Sequence, residues 1–261
     1  MFAWFCMYRA RCCLALAVAV SMGTAHAAPC LFEPQGEGHV VEVIDGRSVR
    51  LDDGREIRLA GIEPVSSGAA RAERAAALSA LIKDKDVVLR GEDDTPDRYG
   101  RQSAFVFPAS SDTSVQSLLL ANGEALVSSE VTEKDCAAAL MAAEAGARNA
   151  RKGAWAGLAV IKNAESPGDI LAGIGRFMLV EGRVLSVRQA GATTYLNFGR
   201  RWTRDFAATI SRRMMPAVES AGVALKSLEN RRIRVRGWVE GRAAPRIEVV
   251  RAGQIEVLGG N

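Results

Sequence analysis

No stretch of this 261-residue chain is apolar for long enough to cross a bilayer as a helix. The longest run, Cys12 to Met22, is broken only by Ser21 and falls short of the roughly 20 residues that a spanning helix needs. Histidine is almost missing, with His26 and His39 the only two. Beyond residue 27 only His39 remains, far in sequence from either Cys30 or Cys136, which argues against a metal site built from cysteine and imidazole. Cysteine is scarce as well: of the five present, Cys6, Cys12 and Cys13 fall at the very start, leaving Cys30 and Cys136 for the rest of the chain.

The start of the chain has the marks of a secretory signal over residues 1–27. Arg9 and Arg11 supply positive charge, the short apolar run follows, and Ala25-His26-Ala27 forms a small-x-small cleavage site. A mature protein beginning at Ala28 is expected, exported to the periplasm or secreted. Cys30 follows Pro29, a poor lipidation box, so a soluble protein is expected rather than a lipid-anchored one. In an oxidising compartment Cys30 and Cys136 point to one disulfide, with two free thiols as the alternative.

Charge divides the chain in two. From Ala28 to Ala172 there are 16 Lys/Arg against 23 Asp/Glu, a net of −7; from Gly173 to Asn261 there are 16 against 7, a net of +9. Opposite signs argue for two domains and place any sequence-independent attraction for nucleic acid on the second. The periodicities agree. His39–Ile44, Ser48–Leu51 and Glu56–Ile62 alternate as strands around turns at Asp45-Gly46 and Asp52-Asp53-Gly54. A helix over Gly68–Lys83, strands at Asp86–Arg90 and Gln102–Phe107, and helices at Ser114–Asn122 and Asp135–Lys152 follow. A linker is expected at 158–175, where Pro167, Gly168, Gly173 and Gly175 interrupt any pattern. Beyond it lie strands at Phe177–Arg188, Thr193–Phe198 and Asp205–Ile210, then a helix over Met215–Leu228. Strands at Arg232–Val239, Arg246–Val250 and Ile255–Leu258 end the chain. Three strands, a helix and two strands is the order of a five-stranded Greek-key barrel of the OB type. The expected fold is therefore mainly β with helices (α+β): two tandem OB-type barrels, at 38–157 and 176–258, the first with extra C-terminal helices.

Four ordered motifs mark the first module: Val43-Ile44-Asp45-Gly46, Ile57-Arg58-Leu59-Ala60-Gly61-Ile62, Asp97-Arg98-Tyr99-Gly100-Arg101 and Gly153-Ala154-Trp155. In order and spacing they resemble the staphylococcal nuclease (thermonuclease-like) family. That resemblance implies a calcium ion held by carboxylates, a glutamate orienting the attacking water, and two arginines on the phosphate. Carried over residue by residue, the arginines are Arg58 and Arg101. The first metal carboxylate falls at Arg47, with Asp45 an acid near the ion; the second falls at Glu63, and the water-orienting glutamate at Ser66. A guanidinium in the ion's place removes a ligand and adds repulsion. At about 4 Å in a partly screened site a unit charge pair interacts by roughly 4 kcal/mol, and a divalent ion meets about twice that. No cofactor is therefore expected, calcium being the exception if the family's site persists through Asp45 and Glu63. Arg47, Arg58 and Arg101 then read as a three-guanidinium phosphate site. Arg47, Asp45 and Glu63 read alternatively as an ion-pair network at the barrel rim.

In the second module Arg200-Arg201-Trp202-Thr203-Arg204 sets an aromatic ring among cations, as single-stranded nucleic acid requires. Arg232, Arg234 and Arg236 alternate with Ile233, Val235 and Gly237, which predicts a basic stripe along one strand face. Three functions stay open. One is an exported protein that binds nucleic acid or another phosphodiester polyanion and hydrolyses it weakly or not at all. The second is an active metal-dependent endonuclease with a rearranged metal site. The third is a non-catalytic envelope interaction protein.

Overall fold

A computed structural model describes residues 30, 32–65, 71–157, 160–241 and 244–259. The expected signal at 1–27 and Ser66 lie outside the described residues. The fold is mainly β with helices, and it begins with β1 (Glu33–Asp45), β2 (Ser48–Leu51) and β3 (Glu56–Leu59). Val49, Leu51, Ile57 and Leu59 point inward, while Glu56 and Arg58 alternate outward. After β4 (Ile62–Pro64) and α1 (Arg71–Ile82) come β5 (Asp86–Gly91) and β6 (Arg101–Pro108). These strands close a barrel in the order β1-β2-β3-β6-β5, in which β3 and β6 are the parallel pair. Leu78 and Ile82 of α1 are fully buried against its core, each such side chain contributing on the order of 1.5–3 kcal/mol.

One expected strand, Glu56–Ile62, is broken at Gly61. The backbone there has φ +76°, and a Cβ would meet Val131 Cγ2 at 2.8 Å, so only glycine permits this sharp exit. The chain thereby leaves the barrel and β4 pairs instead with β7 (Ala125–Val127), which follows α2 (Val115–Ala121). Next comes α3 (Lys134–Asn149). Glu133 caps it by accepting from the backbone N–H groups of Asp135 and Cys136 at 2.9 and 2.6 Å. The expected disulfide is present: Cys30 and Cys136, 106 residues apart, are bonded, pinning the first strand to α3.

Part of the segment expected as a linker is regular. It contains β8 (Ile161–Asn163), paired parallel to β9 (Phe177–Arg183), and α4 (Pro167–Leu171), which starts with proline in its first turn. The second, sheet-rich region continues with β10 (Ser186–Ala190), β11 (Thr193–Asn197), β12 (Ala207–Ser211) and α5 (Met215–Ser220). It ends with β13 (Arg232–Glu240), β14 (Arg246–Glu248) and β15 (Ile255–Val257). The sheet order is β10-β11-β12-β14-β13-β9-β8, with β15 also on β13 and β12·β14 parallel. The long helix expected over Met215–Leu228 stops early: Gly222 has φ +87°, and a 3-10 turn at Leu225–Leu228 replaces the second half.

The two regions have separate apolar cores, and a third cluster joins them: Leu126, Ala147 and Trp155 pack with Phe177 and Leu179. Beside it runs an ion-pair chain. Arg236, 1 % exposed, donates from Nη1 and Nη2 to the two oxygens of the fully buried Glu144 carboxylate, each at 3.0 Å. Glu144 also accepts from Val127 N–H at 2.7 Å, and Arg236 Nη1 donates to Val127 O at 3.1 Å. Arg148 bridges Glu144 to Glu256, and Arg234 links Glu256 to Glu181. With the exposed Arg232 also 3.4 Å from Glu181, four arginines share three glutamates, and each of these carboxylates has a cationic partner.

That network corrects the reading of β13 as an open basic stripe. Arg232 is exposed, but Arg236 is buried against Glu144 and Val127 of the first region, and Arg234 is buried between Glu181 and Glu256 of its own sheet, so these two have no free face to offer a polyanion. The alternation was real; what covers the arginine face is the neighbouring region at Arg236 and the sheet's own glutamates at Arg234.

Candidate functional site

The turn between β1 and β2 sets Arg47 at the barrel rim. Asp45 Oδ1 accepts from Arg47 N–H at 2.9 Å, closing the Asp45-Gly46-Arg47 turn, and Leu59 N–H donates to Arg47 O at 2.8 Å. From there the Arg47 guanidinium pairs with Glu63, whose side chain is only 2 % exposed. Arg58, projecting outward from β3, donates from Nη2 to the same Glu63 oxygen at 3.3 Å and lies 3.7 Å from Glu130 Oε1. Burial pushes the Glu63 carboxyl above its ordinary pKa, while Arg47 and then Arg58 oppose that shift. Two guanidiniums thus face two carboxylates, and the cluster neutralises itself.

Arg101 occupies the next strand, opposite Glu56, while Ser103 stands opposite Arg58, so both arginines share the outer face of adjacent strands. Its guanidinium is held by Asp97: Nε and Nη2 donate to Oδ2 at 3.0 and 2.7 Å. Asp97 Oδ1 meanwhile accepts from the N–H groups of Tyr99 and Arg101. The Arg101 hydrogen bond, foremost among these contacts, lowers the Asp97 carboxyl to about 2. Gly100, at φ +79°, supplies the left-handed residue that this turn needs. Tyr99 stands exposed between Arg98 and Arg101, with guanidinium carbons 4.7 and 5.0 Å from its ring centre.

These residues do not fit a calcium ion. Of the carried-over donors, Asp45 is engaged by the backbone of its own turn and Glu63 by Arg47 and Arg58. Among the described residues no group of three or more Asp, Glu, His or Cys side chains converges to hold a metal. A cleft of about 170 Å³ beside Ser103 is lined by Glu92, Asp93 and Glu130. Glu92 is engaged there by Thr132, whose N–H and Oγ1 donate to it at 3.3 and 2.7 Å.

Residues 56–157 match the family model described as Staphylococcal nuclease homologue. That stretch, from β3 onward, is nuclease-like. The match takes in Arg58, Glu63 and Arg101 but begins after the turn that carries Asp45 and Arg47. No curated protein matches the chain.

On the second region the expected basic tip is exposed. Arg200, Arg201, Trp202 and Arg204 all lie on the surface between β11 and β12, with Trp202 76 % exposed. Tyr195 is half-buried under Arg246, and Phe198 is core, 5.1 Å from Phe206 between ring centres. Sequence reasoning missed two partners of the nuclease-like site, Asp97 and Glu130. The first carried a signal, an acid four residues before Arg101 around Tyr99-Gly100. The second carried none, because Glu130 reaches Arg58 only through the fold.

Proposed function

We propose that this chain is an exported polyanion-binding protein, with nucleic acid as its ligand class, whose hydrolytic activity is weak or absent. In this reading both regions are OB-type barrels. The strand order of the second repeats that of the first if β9 and β10, separated only by Val184 and Leu185, count as one bent strand.

The observation that carries the reading is the Arg47–Glu63 ion pair. A cation that would polarise a phosphodiester and generate hydroxide has to displace a guanidinium from a buried carboxylate, at a position where the guanidinium also repels it. With Ser66 where the resemblance puts a base, the residues carried over from the family include none to activate water. A phosphate at Arg58 has to compete with Glu63 and Glu130, and the adjacent cleft is lined by acids, so the first barrel does not favour entry of a polyanion. Arg200, Arg201 and Arg204 are exposed on the second barrel, in line with its net charge of +9 over Gly173–Asn261.

Retention on immobilised single-stranded DNA, measured against salt, tests binding: counterion release predicts a steep loss as salt rises. No retention at low salt refutes it. The family match with Arg58 and Arg101 on one face favours a second reading, a nuclease with a rearranged metal site. Hydrolysis of long DNA and RNA in calcium and in EDTA, with Arg101→Ala as control, separates the two: metal-dependent cleavage that the control abolishes establishes the nuclease.

A further inference from the structure

The loop joining β11 to β12 is short, fixed and fully exposed at its tip. Asp205 fastens its base: Oδ2 accepts from Arg201 N–H at 2.7 Å, and the N–H groups of Arg204 and Asp205 both donate to Arg201 O at 2.8 Å. Gly199 makes that closure possible, since a Cβ there would meet Asp205 Oδ2 at 2.1 Å. Beneath it Phe198 and Phe206 pack into the core. The result holds Trp202 away from the barrel with Arg200, Arg201 and Arg204 around it, and among the described residues no carboxylate pairs with any of these three guanidiniums.

The aromatic and basic pattern continues onto the sheet. Tyr195 points outward from β11, directly opposite Arg188 of β10, and Arg246 of β14 lies with its guanidinium carbon 5.8 Å from the Tyr195 ring centre. Two acids share this surface: Glu248, two residues from Arg246, and the exposed Glu240, directly opposite Arg246 on β13. Both rings, Trp202 on the loop and Tyr195 on the adjoining strand, thus have arginines beside them in sequence or in space.

We propose that this face binds single-stranded nucleic acid, with Trp202 stacking on a base and Arg200, Arg201 and Arg204 pairing with the flanking phosphates. The inference rests on the polyanion-binding reading and names its ligand and its residues. Stacking needs an accessible ring on a pre-formed loop, and the Asp205 clasp fixes the backbone that carries Trp202, which lowers the loop entropy lost on binding. A lipid surface is the less favoured partner. Membrane attachment requires buried apolar area, and between Gly199 and Arg204 tryptophan is the only large apolar side chain.

The test compares three probes on the mature protein at fixed salt: a labelled fifteen-nucleotide oligothymidylate, heparin, which has sulfates but no bases, and vesicles containing anionic phospholipid. Trp202→Ala is expected to weaken oligothymidylate binding by about 5- to 100-fold, and Trp202→Phe to restore most of it, while heparin binding changes less than about twofold. Replacing Arg200, Arg201 and Arg204 together by alanine should weaken both and reduce the salt slope for the oligonucleotide by about 2. If oligonucleotide and heparin bind but Trp202→Ala changes neither, base stacking is overturned and polyanion binding stands. Vesicle binding that depends on Trp202, without oligonucleotide binding, overturns the proposal in favour of a lipid surface. Failure of all three probes removes the polyanion reading itself.

Discussion

Replacing Arg236 by methionine keeps most of the side-chain volume but strands Glu144 in the interface. The carboxylate is fully buried, and Arg236 supplies two of its hydrogen bonds at 3.0 Å; Arg148, at 3.4 Å, is a poor substitute. Removing one partner of a buried ion pair costs about 3–5 kcal/mol, because the remaining charge is left without water or counter-charge. For a chain of this size each kcal/mol moves the melting temperature by about 2–4 °C, so Arg236→Met should lower it by about 6–20 °C. The double variant Glu144→Gln with Arg236→Met removes the stranded charge and leaves an amide oxygen to accept from Val127 N–H. It should regain at least half of the loss. Urea unfolding of the wild type, the single and the double variant measures both differences. An Arg236→Met protein within about 1 kcal/mol of wild type, or a double variant no better than the single, refutes a neutral buried pair joining the two regions.

Three further outcomes follow from the geometry. Removing the Cys30–Cys136 bond, by reduction or by replacing both cysteines with alanine, should cost about 2–5 kcal/mol, near the upper end because 106 residues separate the two cysteines; equal unfolding midpoints with and without reductant contradict this. Asp97, lowered to about 2 by Arg101, keeps its ionised partnership above the ordinary carboxylate range and loses it only as pH falls toward that value. An NMR titration should find its midpoint near 2 and see it rise toward the ordinary range in Arg101→Ala, the backbone N–H groups of Tyr99 and residue 101 holding it partly down, and an unchanged midpoint in that variant rules out the pairing. Arg47→Ala removes the stronger of the two cations opposing the burial shift of Glu63, so the Glu63 carboxyl rises further. A raised acid folds best protonated and loses stability as pH rises through its folded pKa, so the variant's deficit should be smaller at pH 4 than at pH 7; a deficit independent of pH removes Glu63 as its source.

Much of the barrel was legible in the sequence because β2, β3 and β5 alternate against one core. Val49, Leu51, Ile57 and Leu59 behave as their spacing predicts, and the Cys30–Cys136 bond was one of the two readings, bond or free thiols, that the scarcity of cysteine left open. What failed was reading a polar face as a wet one. Arg234 and Arg236 alternate with apolar residues like any surface strand, yet both are buried, and sequence alone does not say that Glu144 of α3 meets Arg236 or that Glu181 and Glu256 enclose Arg234. One trace was present: Glu144 lies on the helical stripe of Cys136, Leu140 and Ala147, a carboxylate in an apolar row that called for a buried cation. At the nuclease-like site the substitution of arginine at position 47 was plain, and so was the rim ion pair as one of its readings. Glu130, the second acid on Arg58, was not, because the β3–β4 turn at Gly61 and the pairing of β4 with β7 bring it there.

Calcium titration calorimetry on the mature protein addresses the central claim most directly, since the Arg47 guanidinium stands on the carboxylate that a cation would need. The account predicts no saturable heat of binding up to millimolar calcium, with or without a nucleotide present. Stoichiometric binding of one calcium per chain, abolished by Glu63→Gln, would contradict it.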